Sequence, residues 1–123
     1  MLKSILIVGT GSFLGGALRF VISSLMKGWY ASSFPWATLT VNLLGCLLIG
    51  VTYGLFARHS SVSHALCLLL TTGFCGGFTT FSTFANEGVQ MLQSGNFGAF
   101  AAYASMSLVL GVLLVVLGYI VVR

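Results

Sequence analysis

Charge is nearly absent from this chain of 123 residues. There is no aspartate, and Glu87 is the single glutamate. A chain with one acid cannot assemble the paired carboxylates of a general acid–base site, nor a carboxylate-rich metal cage. Without aspartate there is also no Ser/His/Asp set. The two histidines, His59 and His64, fall together in the loop after the second apolar run and read as solvated loop residues. Cys46, Cys67 and Cys75 form no C-x-x-C pair and lie within apolar runs, as buried small hydrophobes do. The five cations, Lys3, Arg19, Lys27, Arg58 and Arg123, are scattered. No basic patch for nucleic acid arises from them.

What remains is hydrophobic: 58% of residues are apolar and only 5% charged. A water-soluble domain of this size cannot clothe its surface with so few polar groups, so the chain reads as an integral membrane protein with a single transmembrane domain. Charged and turn-forming residues divide it into four spans, at roughly 4–26, 35–57, 63–90 and 96–122. Each exceeds the ~20 residues that a helix needs to cross the hydrocarbon core. The apolar runs are too long for strands and do not alternate. The sole proline, Pro35, suits a helix start, where its missing N–H leaves nothing unpaired. The first run continues past Arg19 without a small-x-small cleavage site and reads as a retained span.

Four spans put both termini on one side. Lys3, Arg58 and Arg123 lie there, against Lys27 on the other, a slight orientation bias. No internal repeat is present, so any symmetry must come from a second copy. Gly11-x-x-x-Gly15 and Gly50-x-x-x-Gly54 are small-residue pairs for close helix contact, within the subunit or across a dimer. GTGSFLGG at 9–16 looks like a dinucleotide fingerprint, but its spacing is wrong and no βαβ unit surrounds it.

The segment GFCGGFTTFSTF at 73–84 is the anomaly. It places three glycines within five residues, then four hydroxyls, near the centre of the third span. As one straight helix that span would be about 42 Å long, against a core of about 30 Å. One reading is a glycine-rich helix packed tightly on its neighbours. The other is a break at mid-membrane, tolerated only inside protein or beside a cavity. A break frees carbonyls that coordinate cations and opens a helix N-terminus attractive to anions.

Polar groups cluster around it. Phe81 and Phe84 share a helical face, either as packing or with their positive ring edges turned to an anion. Asn42 lies deep in the second span, one turn beyond Thr38. Tyr103 and Ser107 are one turn apart in the fourth. Arg19 is the one cation well inside a span, either snorkelling to the interface or standing at the mouth of an anion path. Spans one, two and four carry no acid, whereas proton-coupled exchange and drug efflux usually need a mid-membrane carboxylate. A passive conduit for a small anion fits these residues best.

At this point the chain resembles the Fluc/CrcB family of small fluoride channels. The resemblance rests on GGALRF at 15–20, TLTVNLLG at 38–45 and the 73–84 segment, and it covers all four spans. Phe20 departs from it, standing where many members carry tyrosine. The resemblance implies an all-α homodimer of four-helix subunits inserted antiparallel (dual topology), with the third helix broken. It implies a multi-pass protein of the bacterial plasma (inner) membrane that exports cytoplasmic fluoride passively through two pores per dimer. It also implies a central Na⁺ held by the backbone carbonyls of Gly76 and Thr79 from each subunit. Phe81, Phe84 and Asn42 match the family's pore residues, and Ser82, Thr83, Tyr103 and Ser107 are hydroxyl donors along the path. Two other readings compete. A small multidrug antiporter shares the size and topology but expects an acid where span one has Arg19. A membrane assembly factor would have no need of the TTFSTF cluster.

Overall fold

The computed structural model describes residues 1–29, 34–59 and 61–122. Arg123, counted above in the charge bias, lies outside them. The described residues are all helical or in short connections. They form α1 (Leu2–Trp29), α2 (Trp36–Arg58), α3 (His64–Leu68), a π-helical stretch (Leu69–Cys75), α4 (Gly76–Phe78), α5 (Phe81–Gln93) and α6 (Phe97–Val122). Four helical stretches are long and apolar enough to cross a membrane, the third running from His64 to Gln93. His64 is thus the first residue of α3 rather than part of the preceding loop.

The four stretches pack mainly as two pairs, α1 with the π-helix and α4, and α2 with α6. Glycine makes both contacts possible. A β-carbon on Gly11 would stand 2.8 Å from the Phe74 nitrogen, and one on Gly77 would stand 2.5 Å from the Ser12 carbonyl oxygen. In the second pair, a β-carbon on Gly54 would lie 2.7 Å from the Tyr119 carbonyl, and one on Gly118 would lie 2.7 Å from that of Leu47. Both small-residue motifs therefore serve contacts inside the subunit. In lipid, where apolar burial drives helices together only weakly, such backbone approach is a main source of packing energy. Large apolar side chains point outward instead, as Phe13, Phe20, Leu108 and Ile120 do. The buried cluster is small: Leu39, Met91 and Tyr103, with Phe34, Phe84 and Phe100 against it.

The third stretch is irregular by construction. Ser63 caps its start, accepting from the Leu66 N–H at 3.1 Å. The ladder then widens into the π-helix, where the Thr71 hydroxyl donates back to the Cys67 carbonyl, and beyond α4 the Thr79 hydroxyl donates back to that of Cys75. After Phe78 the backbone leaves the helix. Thr79 (φ −86°, ψ 161°) and Thr80 (φ −148°, ψ 120°) are extended. Thr80 then acts as a fresh N-cap, its hydroxyl accepting from the Thr83 N–H at 3.3 Å. α5 ends in a Schellman turn: Gly95 takes φ 77°, its N–H bonds the Leu92 carbonyl, and the Asn96 N–H bonds that of Met91 at 2.8 Å. That reversal lays α6 back along α5 and sets Tyr103 beside Glu87.

Candidate functional site

The two-residue interruption at Thr79–Thr80 organises the site. In an unbroken helix the Thr80 N–H would bond the Gly76 carbonyl, and the Thr83 N–H would bond that of Thr79. Here both donors are diverted. Thr80 N–H donates to the Asn42 Oδ1 at 2.8 Å, and Thr83 N–H to the Thr80 hydroxyl. Asn42 Nδ2 in turn donates to the Thr80 carbonyl at 3.0 Å. One amide thus satisfies both backbone groups of the extended residue, as a neighbouring strand would. Gly45, one turn below Asn42, leaves room for the Thr79 methyl, which a β-carbon there would overlap. Arg19 reaches across from α1 and donates from Nε to the Gly77 carbonyl at 3.2 Å. Its side chain is half-buried and tied to the interruption rather than directed to the helix end.

One hollow lies at this point and another lies away from it. A cleft of about 630 Å³ is lined by Asn42, Gly76, Thr79, Thr80, Phe81, Phe84 and Ser107, among others. A second cavity of about 410 Å³ opens at one end of the bundle beside Lys27, Phe34, Trp36 and Glu87. A file of rings connects them. Phe81 lies 5.8 Å from Phe84, Phe84 lies 4.9 Å from Tyr103, Tyr103 lies 5.6 Å from Phe34, and Phe34 lies 4.6 Å from Trp36, centroid to centroid. Phe81, at the cleft end, is 79% exposed. Phe74 and Phe78 stand apart from the file, stacked on each other at 5.8 Å, with Phe78 buried.

Of the expected donors, Thr38 and Tyr103 converge on Glu87. Thr38 Oγ1 donates to its Oε2 and Tyr103 Oη to its Oε1, each at 3.0 Å. A hydroxyl carries one hydrogen, so both are committed in this arrangement. The others keep donor capacity. Asn42 has a second amide hydrogen, and Thr83 accepts from Thr80 while retaining its own proton. Ser107 Oγ is buried in the cleft wall with no partner among the described residues. Ser82 is exposed on the first turn of α5. The thiols of Cys46, Cys67 and Cys75 are free.

Sequence reasoning missed Glu87 and Thr80 as members of this cluster. A signal for Glu87 was present: it follows Phe84 by three residues and so shares its helical face. Thr80 carried only the general preference of threonine for helix N-caps, which does not say that one helix ends just before it.

The model of the CrcB-like protein, Camphor Resistance (CrcB) family matches residues 6–119. The chain belongs to that family. It is 45% identical over 117 residues to the fluoride-specific ion channel FluC of Phocaeicola vulgatus, covering 95% of this chain and 96% of that one. The FluC of Azobacteroides pseudotrichonymphae is 42% identical over 120 residues, covering 98% and 96%. That of Flavobacterium psychrophilum is 38% identical over 122 residues, covering 99% and 98%. This is a family of channels and not of enzymes, and with its four apolar helices the chain is a multi-pass membrane protein.

Proposed function

We propose that the chain is the subunit of a fluoride-selective channel of the bacterial inner membrane, letting fluoride leave the cytoplasm passively. The observation that carries this reading is the file of rings from the cleft to the end cavity, with the Ser107 hydroxyl in the cleft wall lacking a partner among the described residues, in a chain whose relatives are named fluoride-specific channels. Fluoride is small and strongly hydrated. A conduit must replace its water with donors at close range, and the Ser107 hydroxyl, the second Asn42 amide hydrogen and the Thr83 hydroxyl offer them. Ring edges of Phe81 and Phe84 add positive electrostatic potential without a fixed charge that would trap the ion. Glu87 holds the Thr38 and Tyr103 hydroxyls in place at the other end of the file.

The working unit in this reading is an antiparallel homodimer with a two-fold axis in the membrane plane and two pores. The exposed Phe81 and the open cleft at the helix break are then completed by the second copy. A structural Na⁺ at the centre fits the donor set, because the carbonyls of Gly76 and Thr79 have lost their helical donors and are hard oxygen ligands. The ion would supply positive charge that ties the two breaks together.

Two results are expected. In proteoliposomes, fluoride efflux should be electrogenic, should need no proton gradient, and should greatly exceed chloride and quaternary ammonium flux. Obligatory proton exchange, or ammonium transport in preference to fluoride, would favour the antiporter instead. Second, with native cysteines replaced, Ser94→Cys should react with impermeant thiol reagents from both sides of the membrane. Labelling from one side alone would sink the antiparallel arrangement.

A further inference from the structure

We propose that Asn42 and Thr80 are positioning residues for the central cation: together they hold the third helix open so that the Gly76 and Thr79 carbonyls stay free to ligate it. The inference rests on the Na⁺ reading above and assigns the groups that create the site rather than those that touch the ion.

A helix break leaves carbonyls before it and N–H groups after it without partners. In an apolar setting those groups cannot remain orphaned, since each unpaired one is strongly unfavourable. The simplest remedy is to close the helix, returning the Thr80 N–H to Gly76 and the Thr83 N–H to Thr79. Closure would take from the cation the two carbonyls assigned to it. Two side chains oppose this. Asn42 offers an acceptor and a donor in one plane, at 2.8 and 3.0 Å, to the N–H and carbonyl of Thr80. Few other side chains present both to one residue. The Thr80 hydroxyl takes the Thr83 N–H, and its own hydrogen goes to Thr83 Oγ1 at 3.1 Å. The third carbonyl of the turn, Gly77, already receives Arg19 Nε. Each diverted donor is thus matched to one carbonyl of the proposed ligand set. A threonine at 80 also suits the extended conformation by β-branching.

The test is the sodium dependence of thermal stability in purified protein, titrating NaCl against N-methylglucamine chloride at constant ionic strength. The unmodified protein should show a saturable, sodium-specific rise in its melting midpoint. Asn42→Ala should shift the half-saturating sodium concentration upward roughly tenfold or more. Thr80→Val keeps the shape and the β-branching, removes the cap together with the hydroxyl's bond to Thr83 Oγ1, and should shift it in the same direction. Should Asn42→Ala not purify, Thr80→Val decides alone. Thr52→Val, whose hydroxyl bonds the Leu48 carbonyl on the exposed side of α2, should leave the sodium titration unchanged. Variants that melt earlier by the same amount at every sodium concentration would show a merely structural role and overturn the proposal. An unmodified protein indifferent to sodium would overturn the cation reading beneath it, and the proposal with it.

Discussion

Replacing both Phe81 and Phe84 with leucine is expected to cut fluoride flux at least tenfold while the protein stays assembled. Leucine keeps most of the bulk and all of the apolar character, and swaps of this kind are usually tolerated in packed interiors. What it loses is the ring quadrupole. Contacts between charge and aromatic rings contribute roughly 1 kcal/mol each, more where water is excluded. A barrier raised by about 1.4 kcal/mol slows a step about tenfold. The two rings differ in a way that separates transport from packing. Phe84 lies against buried Tyr103, whereas Phe81 is 79% exposed in the subunit. The single Phe81→Leu substitution should therefore leave subunit folding unaffected and still reduce flux. Fluoride efflux measured beside size-exclusion behaviour checks both. Near-normal flux in the double variant would return the rings to packing.

Two adjacent glycines should respond differently to alanine. A β-carbon on Gly15 would overlap the Phe74 carbonyl and stand 2.9 Å from the Phe78 nitrogen. Backbone cannot rotate away as a side chain can, so α1 must lift from the π-helix and α4. The expected loss is about 1–3 kcal/mol, as for other overpacked interiors. Lifting α1 also draws Arg19 from the Gly77 carbonyl, so the break is disturbed as well. On Gly16, by contrast, the nearest atom to a new β-carbon is the Gly77 oxygen at 3.8 Å, an ordinary contact. There the helix propensity of alanine, better than glycine by roughly 1 kcal/mol, should dominate. Thermal denaturation of the purified variants should show Gly15→Ala melting earlier and Gly16→Ala unchanged or later. Equal responses would mean that the close approach of α1 to the third stretch is wrong.

Much of this protein could be read from its residues alone. The scarcity of charge and the four long apolar runs settle an all-helical membrane protein, because only helices or closed barrels satisfy their backbone in lipid and these runs do not alternate. The motifs at 15–20, 38–45 and 73–84 settle the family. Small-residue spacing announced close helix contacts but not their partners. That needed the packing, which turns Gly11 and Gly15 toward the third stretch and Gly50 and Gly54 toward α6. The same limit applies to the polar residues. Thr38, Asn42 and Tyr103 stand out as polar groups in apolar helices, and periodicity puts Thr38 and Asn42 on one face. It cannot say that Asn42 meets the backbone of Thr80 while Thr38 and Tyr103 meet Glu87. Those pairings join residues from 16 to 49 positions apart. A hydrogen bond depends on atoms brought within about 3 Å of each other, and only the folded chain determines which distant groups arrive there.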